Sequence, residues 1–414
     1  MPPWGIGEVG DRAEALARTV RMARERVPFY RDLHDGVDSV ALADLPTCTK
    51  ADLRSYGLFP LSASPLEEAY RVCATSGTTG PRLFVGYSRR DWVERGGVRL
   101  AHRASYAGFG AGDVLLNTHG YGLWVGGPAL DLLAQSSGAG LLPAGPGGVD
   151  RMLAWFEELP ITGLSATPSF MRFLIEHAAG AGVDPASWGL RVGFIGGECA
   201  SQALRREVVE ALGGGFRWQE LYGSTESGGP ILGFSPADAP YGGKLLIDTE
   251  EFVVELLDLD DDVPVEPGAL GEITITTPFR EFSPILRYRT RDLTVELPGQ
   301  GDEGFPAVES LRGRLDDAIK VRGALVYPTV IEEIVVERLS PGAEFRIEID
   351  REPGRLDEIT VVVEHEGSDR ELGELRDELR EAIVMRVEVR AVPLHSLERF
   401  AGKAKRVVDR RPAP

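Results

Sequence analysis

Cys73-Ala74-Thr75-Ser76-Gly77-Thr78-Thr79-Gly80-Pro81-Arg82 holds only hydroxyl residues and glycines between Thr75 and Gly80. Glycine lets a backbone come close to a ligand, and successive N–H groups in such a loop form a concave nest for anions. The hydroxyls add donors suited to phosphate oxygens, and Arg82 places a cation at the rim. This is not the Gly-x4-Gly-Lys-[Ser/Thr] loop of the common nucleotide hydrolases, because no Lys-Ser or Lys-Thr follows the second glycine. A flexible surface turn is the competing reading. As a site, the loop says phosphate and leaves the reaction open.

The rest of the chain bounds that reaction. A length of 414 residues exceeds one ordinary core and predicts two domains. An apolar content of 43% and a charged content of 26% are those of a soluble globular protein. The net charge of -19 argues against a nucleic-acid or anionic-membrane partner, so a phosphate site must gather its own cations. Cys48, Cys73 and Cys199 lie far apart without a Cys-x-x-Cys, which fits a reducing cytoplasm and carries no zinc signature. No His-x-x-x-His pair and no apolar run near about 18 residues occurs, so a soluble cytoplasmic protein is expected.

Along the chain, Leu16, Val20, Ala23 and Val27 recur at helical spacing and stop at Pro28. Beyond the phosphate loop, short apolar runs alternate with amphipathic ones up to Leu212. That alternation predicts a mostly parallel α/β arrangement with loops at strand ends open to ligands. From residue 252 the texture turns to antiparallel β, with Asp258-Leu259-Asp260-Asp261-Asp262 as a solvated hairpin tip rather than a metal site. The junction is expected at Gly313-Arg314-Leu315-Asp316-Asp317, followed by a small α+β, ferredoxin-like lobe in the order α-β-β-α-β. Ser368-Asp369-Arg370-Glu371 reads as the capping box of its second helix. The basic tail Phe400–Arg406 is expected to end the folded part.

Three further stretches carry chemistry. In Thr118–Gly127, glycines alternate with Tyr121 and Trp124, so backbone can approach something flat while rings wall it in; tight helix–sheet packing is the alternative. Tyr222-Gly223-Ser224-Thr225-Glu226 places an aromatic, a hydroxyl and a carboxylate within five residues, with a plain turn as the alternative. Arg287, Arg289, Arg291 and Asp292 read either as a surface ion-pair ladder or as a carboxylate gripping ribose hydroxyls.

Taken in order, these motifs resemble the adenylate-forming superfamily, and within it the phenylacetate–CoA ligase family. The resemblance rests on Thr75–Gly80, Tyr222–Glu226, Arg287–Asp292, Gly313–Asp317 and Gly402-Lys403-Ala404-Lys405-Arg406-Val407-Val408-Asp409, and runs over nearly the whole chain. It implies a large N-terminal adenylation domain, 1–312, and a small mobile C-terminal domain, 313–414. It also implies two steps: a carboxylate attacks Mg·ATP to give an acyl-adenylate and pyrophosphate, and a thiol, commonly that of CoA, displaces AMP. By the same resemblance Thr75, Ser76, Gly77, Thr78, Thr79 and Gly80 cradle the outer phosphates. Gly197 and Glu198 line the adenine pocket and Tyr222 stacks on the base. Thr225 meets the α-phosphate, Glu226 holds Mg²⁺, and Asp292 takes the ribose with help from Arg314. Asp316 is the hinge and Lys403 the adenylation lysine, while the backbone near Gly323 faces the site in the second step.

Two departures stand out. Arg82 follows Pro81 where the family loop continues Gly-Lys-Pro, and Arg is not interchangeable with Lys. Leu397-Glu398-Arg399-Phe400-Ala401 replaces the usual Pro-Arg-Ser or Pro-Arg-Thr before the Gly-Lys. The acid is expected to be aromatic, of benzoate or arylacetate type, bound by His119, Tyr121, Gly122 and Trp124. A structural role for His119 is the alternative. Two rival functions stay open: an amide or ester synthetase using an amine or hydroxyl acceptor without CoA, and a nucleotide-binding protein that has lost catalysis. Relatives of this type often form homodimers, but no motif here encodes it.

Overall fold

The computed structural model describes residues 10–75, 81–322, 324–338, 343–351, 357–399 and 405–411. Short runs such as Val114–Asn117 and Val192–Gly196 are apolar along almost their whole length because helices cover the sheet they build. They join an eight-stranded sheet ordered 307–309, 244–247, 229–234, 217–224, 192–196, 163–166, 114–117, 140–143. The five strands from 217–224 to 140–143 are parallel, as the alternation predicts. The other three are antiparallel additions that the periodicity did not single out. Helices Pro168–Gly180 and Gln202–Leu212 bury Phe170, Leu174, Leu204 and Val208 in one apolar cluster; Leu100, Leu130 and Leu133 belong to another.

A four-stranded antiparallel sheet follows, ordered 253–257, 270–276, 288–295, 313–314. Here the surface-ladder reading fails. Arg287 is buried and grips Glu255 through Nε and Nη2 at 3.0 and 3.1 Å. Arg289 pairs with buried Glu272 at 2.9 Å and donates to Asp262 at 2.9 Å and to the carbonyls of Asp258 and Leu259. The acidic tip is exposed as expected, but its backbone is capped by this arginine.

The C-terminal lobe has its own core, from Ile319 to Val387, and the capping box forms as predicted. The tail corrects the sequence reading. Val407–Asp409 adds as a parallel strand to Phe345–Asp350, and Arg406 lies between buried Glu332 and Glu344 at 2.8 Å each. Three residues flanked by basic ones carry no period-2 signal. The strand is held because two buried carboxylates require that cation.

Candidate active site

Four parallel strands end on the same edge of the large sheet, where α/β folds place ligands. Val114–Asn117 leads to His119–Trp124, Gly163–Ala166 to Thr167–Ser169, Val192–Gly196 to Gly197–Glu198, and Arg217–Ser224 to Thr225–Glu226. The last motif therefore straddles a strand end rather than following the strand. Gly197 sits at φ +87 and is exposed, and Glu198 accepts from Ser169 N and Oγ at 3.2 and 2.6 Å.

Gly223 marks a break in the strand just before Thr225 and Glu226. The pairing register shifts between Tyr222 and Ser224, and a Cβ at Gly223 would lie 1.9 Å from the Gly229 carbonyl oxygen. Such a bulge turns the following side chains off the sheet. Ser224 and Ser227 then bond reciprocally, N to Oγ, at 2.8 and 3.2 Å. Tyr87 donates its hydroxyl to the Thr225 carbonyl, and Arg280 donates to the carbonyls of Glu226 and Ser227.

Three predicted residues meet directly. Tyr222 donates its hydroxyl to Asp292 Oδ2 at 2.7 Å, and Arg314 Nη1 stands 3.3 Å from Asp292 Oδ1, the two lying across from each other in adjacent strands. Burial raises the Asp292 carboxyl despite that guanidinium, and the Asp292 charge raises Arg314 in turn. Burial also raises Glu226, but Lys50 Nζ at 3.1 Å and hydrogen bonds outweigh it, leaving the carboxyl below its usual range. Tyr288 donates to the same oxygen of Glu226 at 3.1 Å. The sequence reading assigned no role to Lys50, Tyr87, Arg280 or Tyr288. Lys50 opens a helix capped by Thr49 and Asp52, and Cys48 pairs with Tyr288 as an isolated bridge.

In the proposed acid stretch, Tyr121 donates to Asp131 at 2.7 Å and accepts from Asn117 Nδ2 at 3.1 Å. His119 Nδ1 lies 3.3 Å from Ser165 Oγ, and burial pulls its pKa down to about 4, so the ring is neutral. Gly122 has φ +75, and Trp124 is 46% exposed beside Gly120. The base of the phosphate loop is anchored to this stretch: Ala74 N donates to the Leu123 carbonyl at 2.7 Å. Thr75 is buried, bonds Leu83 N through Oγ1 at 3.1 Å, and so closes the hairpin beneath the loop. Arg82 is exposed. Asp316 lies 3.5 Å from Arg291 Nε, outside the Glu226–Asp292 cluster. Ser76, Gly77, Thr78, Thr79, Gly80, Gly323 and Lys403 lie outside the described residues.

Among the described residues no three His, Cys, Asp or Glu side chains gather to hold a metal, and no helix is long and apolar enough to cross a membrane. The Thr118–Gly127 stretch thus meets the base of the Thr75–Gly80 loop through Ala74 and Leu123, and the hairpin that the loop joins reaches the Thr225–Glu226 turn through Tyr87.

Residues 14–280 match the AMP-binding enzyme family, and residues 323–411 match the AMP-binding enzyme C-terminal domain. The chain belongs to the adenylate-forming enzymes. It is 33% identical to a phenylacetate–coenzyme A ligase of Aromatoleum evansii, over 96% of this chain and 93% of that one. Against the phenylacetate–coenzyme A ligase of Thermus thermophilus the identity is 35%, covering 89% of this chain and 84% of that one. Within the class, the chain belongs to the phenylacetate–CoA ligase-like, AMP-forming acid–thiol ligases. A crystal structure of a 2-hydroxyisobutyryl-CoA ligase in the postadenylation state superposes with a TM-score of 0.85 at 23% identity, covering 96% of this chain and 88% of that one.

Proposed function

We propose that this enzyme activates a benzoate- or arylacetate-type acid with ATP, releases pyrophosphate, and passes the acyl group from the adenylate to CoA. The observation that supports this reading is that the strand-end turn bearing Glu226 is held by Lys50 and by Tyr87 of the hairpin at the Thr75–Gly80 loop, whose base is bonded to the His119–Trp124 stretch, while Tyr222 and Arg314 hold Asp292. Nucleotidyl transfer needs positioning and charge neutralisation more than covalent help, and these residues supply both.

The donor set fits Mg²⁺. Glu226 is a single ionised oxygen donor, which suits a hard ion that fills its remaining positions with phosphate oxygens and water. When bound there, the ion would neutralise charge on the phosphates. Lys50 keeps Glu226 ionised, and Thr225 presents its hydroxyl towards the α-phosphate. Asp292, steadied by Arg314 and Tyr222, accepts from the ribose hydroxyls. Gly197 and Glu198 border the adenine, with the Tyr222 ring beside it. Lys403 brings a cation to the carboxylate as it attacks. Tyr121, its hydroxyl already bound to Asp131, offers the acid a ring face, and exposed Trp124 offers another.

We further place the domain boundary at residues 312–313 and the hinge at Asp316. Adenylation needs Lys403 inside with water excluded, whereas transfer needs an open path for the thiol, and a rotating lobe meets both demands in turn. A cytoplasmic location follows, since ATP and CoA are supplied there.

The deciding experiment is ATP–pyrophosphate exchange with Mg²⁺ across substituted benzoates and arylacetates, followed by addition of CoA and then of amines. Exchange with one acid and turnover only with the thiol is the expected result. Turnover with amines in the absence of CoA would make the protein an amide synthetase. ATP binding without exchange on any acid would sink the proposal.

A further inference from the structure

The two lobes keep separate apolar clusters and meet through polar groups. Arg172 donates to the Ala343 carbonyl at 2.7 Å, and Gln202 N donates to Glu333 at 2.6 Å. Between them lies Arg399. Its Nη1 and Nη2 hold Glu364 on the small lobe in a fork at 2.9 and 2.7 Å, while Nε reaches Glu176, on the large-lobe helix Pro168–Gly180, at 3.1 Å. The three side chains are only 18%, 0% and 20% exposed, so solvent screens these bonds weakly. Two carboxylates from different lobes thus share one guanidinium.

The two arms differ in strength. A bidentate fork outlasts a single bond, so Arg399 stays with Glu364 when the lobes part, and Glu176 is the arm that lets go. Burial raises the Glu176 carboxyl, and Arg172, 3.2 Å away on the same helix, remains its partner once Arg399 leaves. Arg399 precedes Lys403 by four residues in sequence, and Arg406, three residues beyond Lys403, is fixed to Glu332 and Glu344.

We propose that Arg399 is a positioning residue, an interlobe clasp that holds the small lobe on helix Pro168–Gly180 for adenylation and releases Glu176 when the lobe turns for thiol transfer. This rests on the lobe-rotation reading above.

The test uses Glu176→Gln, which weakens the interlobe arm and leaves the Arg399–Glu364 fork intact but also loses the ion pair to Arg172, and Arg399→Gln, which spares the Arg172–Glu176 pair. Spin labels on the full chain at Glu210→Cys and Arg370→Cys, in a background lacking the three native cysteines, report the lobe separation without substrate. The distance distribution should broaden in the Glu176→Gln variant and in Arg399→Gln. With phenylacetate as probe acid, pyrophosphate exchange should fall about three- to tenfold, the scale of one partly buried ion pair. Thioester formation from supplied phenylacetyl-adenylate and CoA should be unchanged or faster. An unchanged distribution, or equal loss of both half-reactions, would overturn the clasp. A broadened distribution in a protein whose wild type shows no exchange with any acid would uphold the clasp and sink the proposed function instead.

Discussion

Glu226 can stay charged in a buried site because Lys50 stands against it, and Tyr288 adds a donor to the same oxygen. Without that ammonium, burial dominates and the carboxyl moves up from its depressed value. If exchange needs the ionised carboxylate, Lys50→Ala should shift the acid limb of its pH profile to higher pH and lower the rate at neutrality by about tenfold. An acid limb that stays in place would show that Lys50 does not set this ionisation. At the proposed acid end of the site, Trp124 exposes nearly half its surface beside Gly120. Trp124→Ala should raise the KM for the acid about tenfold or more and leave that for ATP within about twofold, as expected for loss of one aromatic wall. Equal effects on the two KM values would reject the pocket assignment.

At the scale of elements, the bulge at Gly223 joins strand register to site geometry. No side chain fits there, because the Gly229 carbonyl occupies the space a Cβ needs. Gly223→Ala must part the strands Arg217–Ser224 and Gly229–Phe234 and shift the turn that Tyr87 and Arg280 hold. The expected cost is about 2–4 kcal/mol in denaturant unfolding, with exchange lost in the protein that still folds. A variant of unchanged stability and activity would mean the bulge does not constrain the site. The elements also show why some of the sequence reading worked. The capping box at Ser368 and the parallel strands are local patterns and were legible, whereas the strand Val407–Asp409 exists only because Phe345–Asp350 and the Glu332–Glu344 pair receive it.

For the whole molecule, Asp316 lies in the short segment between the strand Gly313–Arg314 and the core of the small lobe, and Arg291 holds it at 3.5 Å. Asp316→Pro fixes φ at 316 and biases Leu315 towards extended backbone, which should trap one lobe orientation. The expected outcome is selective loss of one half-reaction by about tenfold or more, read by comparing pyrophosphate exchange with thioester formation from supplied adenylate. Equal loss of both would count against a hinge at this residue. By itself the sequence determined the class, because phosphate loop, strand-end motifs and junction are short contiguous stretches whose chemistry is written in residue type and order. Only the tertiary structure decided which other groups meet: Lys50 with Glu226, Tyr222 with Asp292, Arg399 with Glu176 and Glu364. These partners are distant in the chain. Coulomb and hydrogen-bond forces act over a few ångströms of space, and no pattern of sequence spacing encodes a distance that the packing of two sheets and a lobe creates.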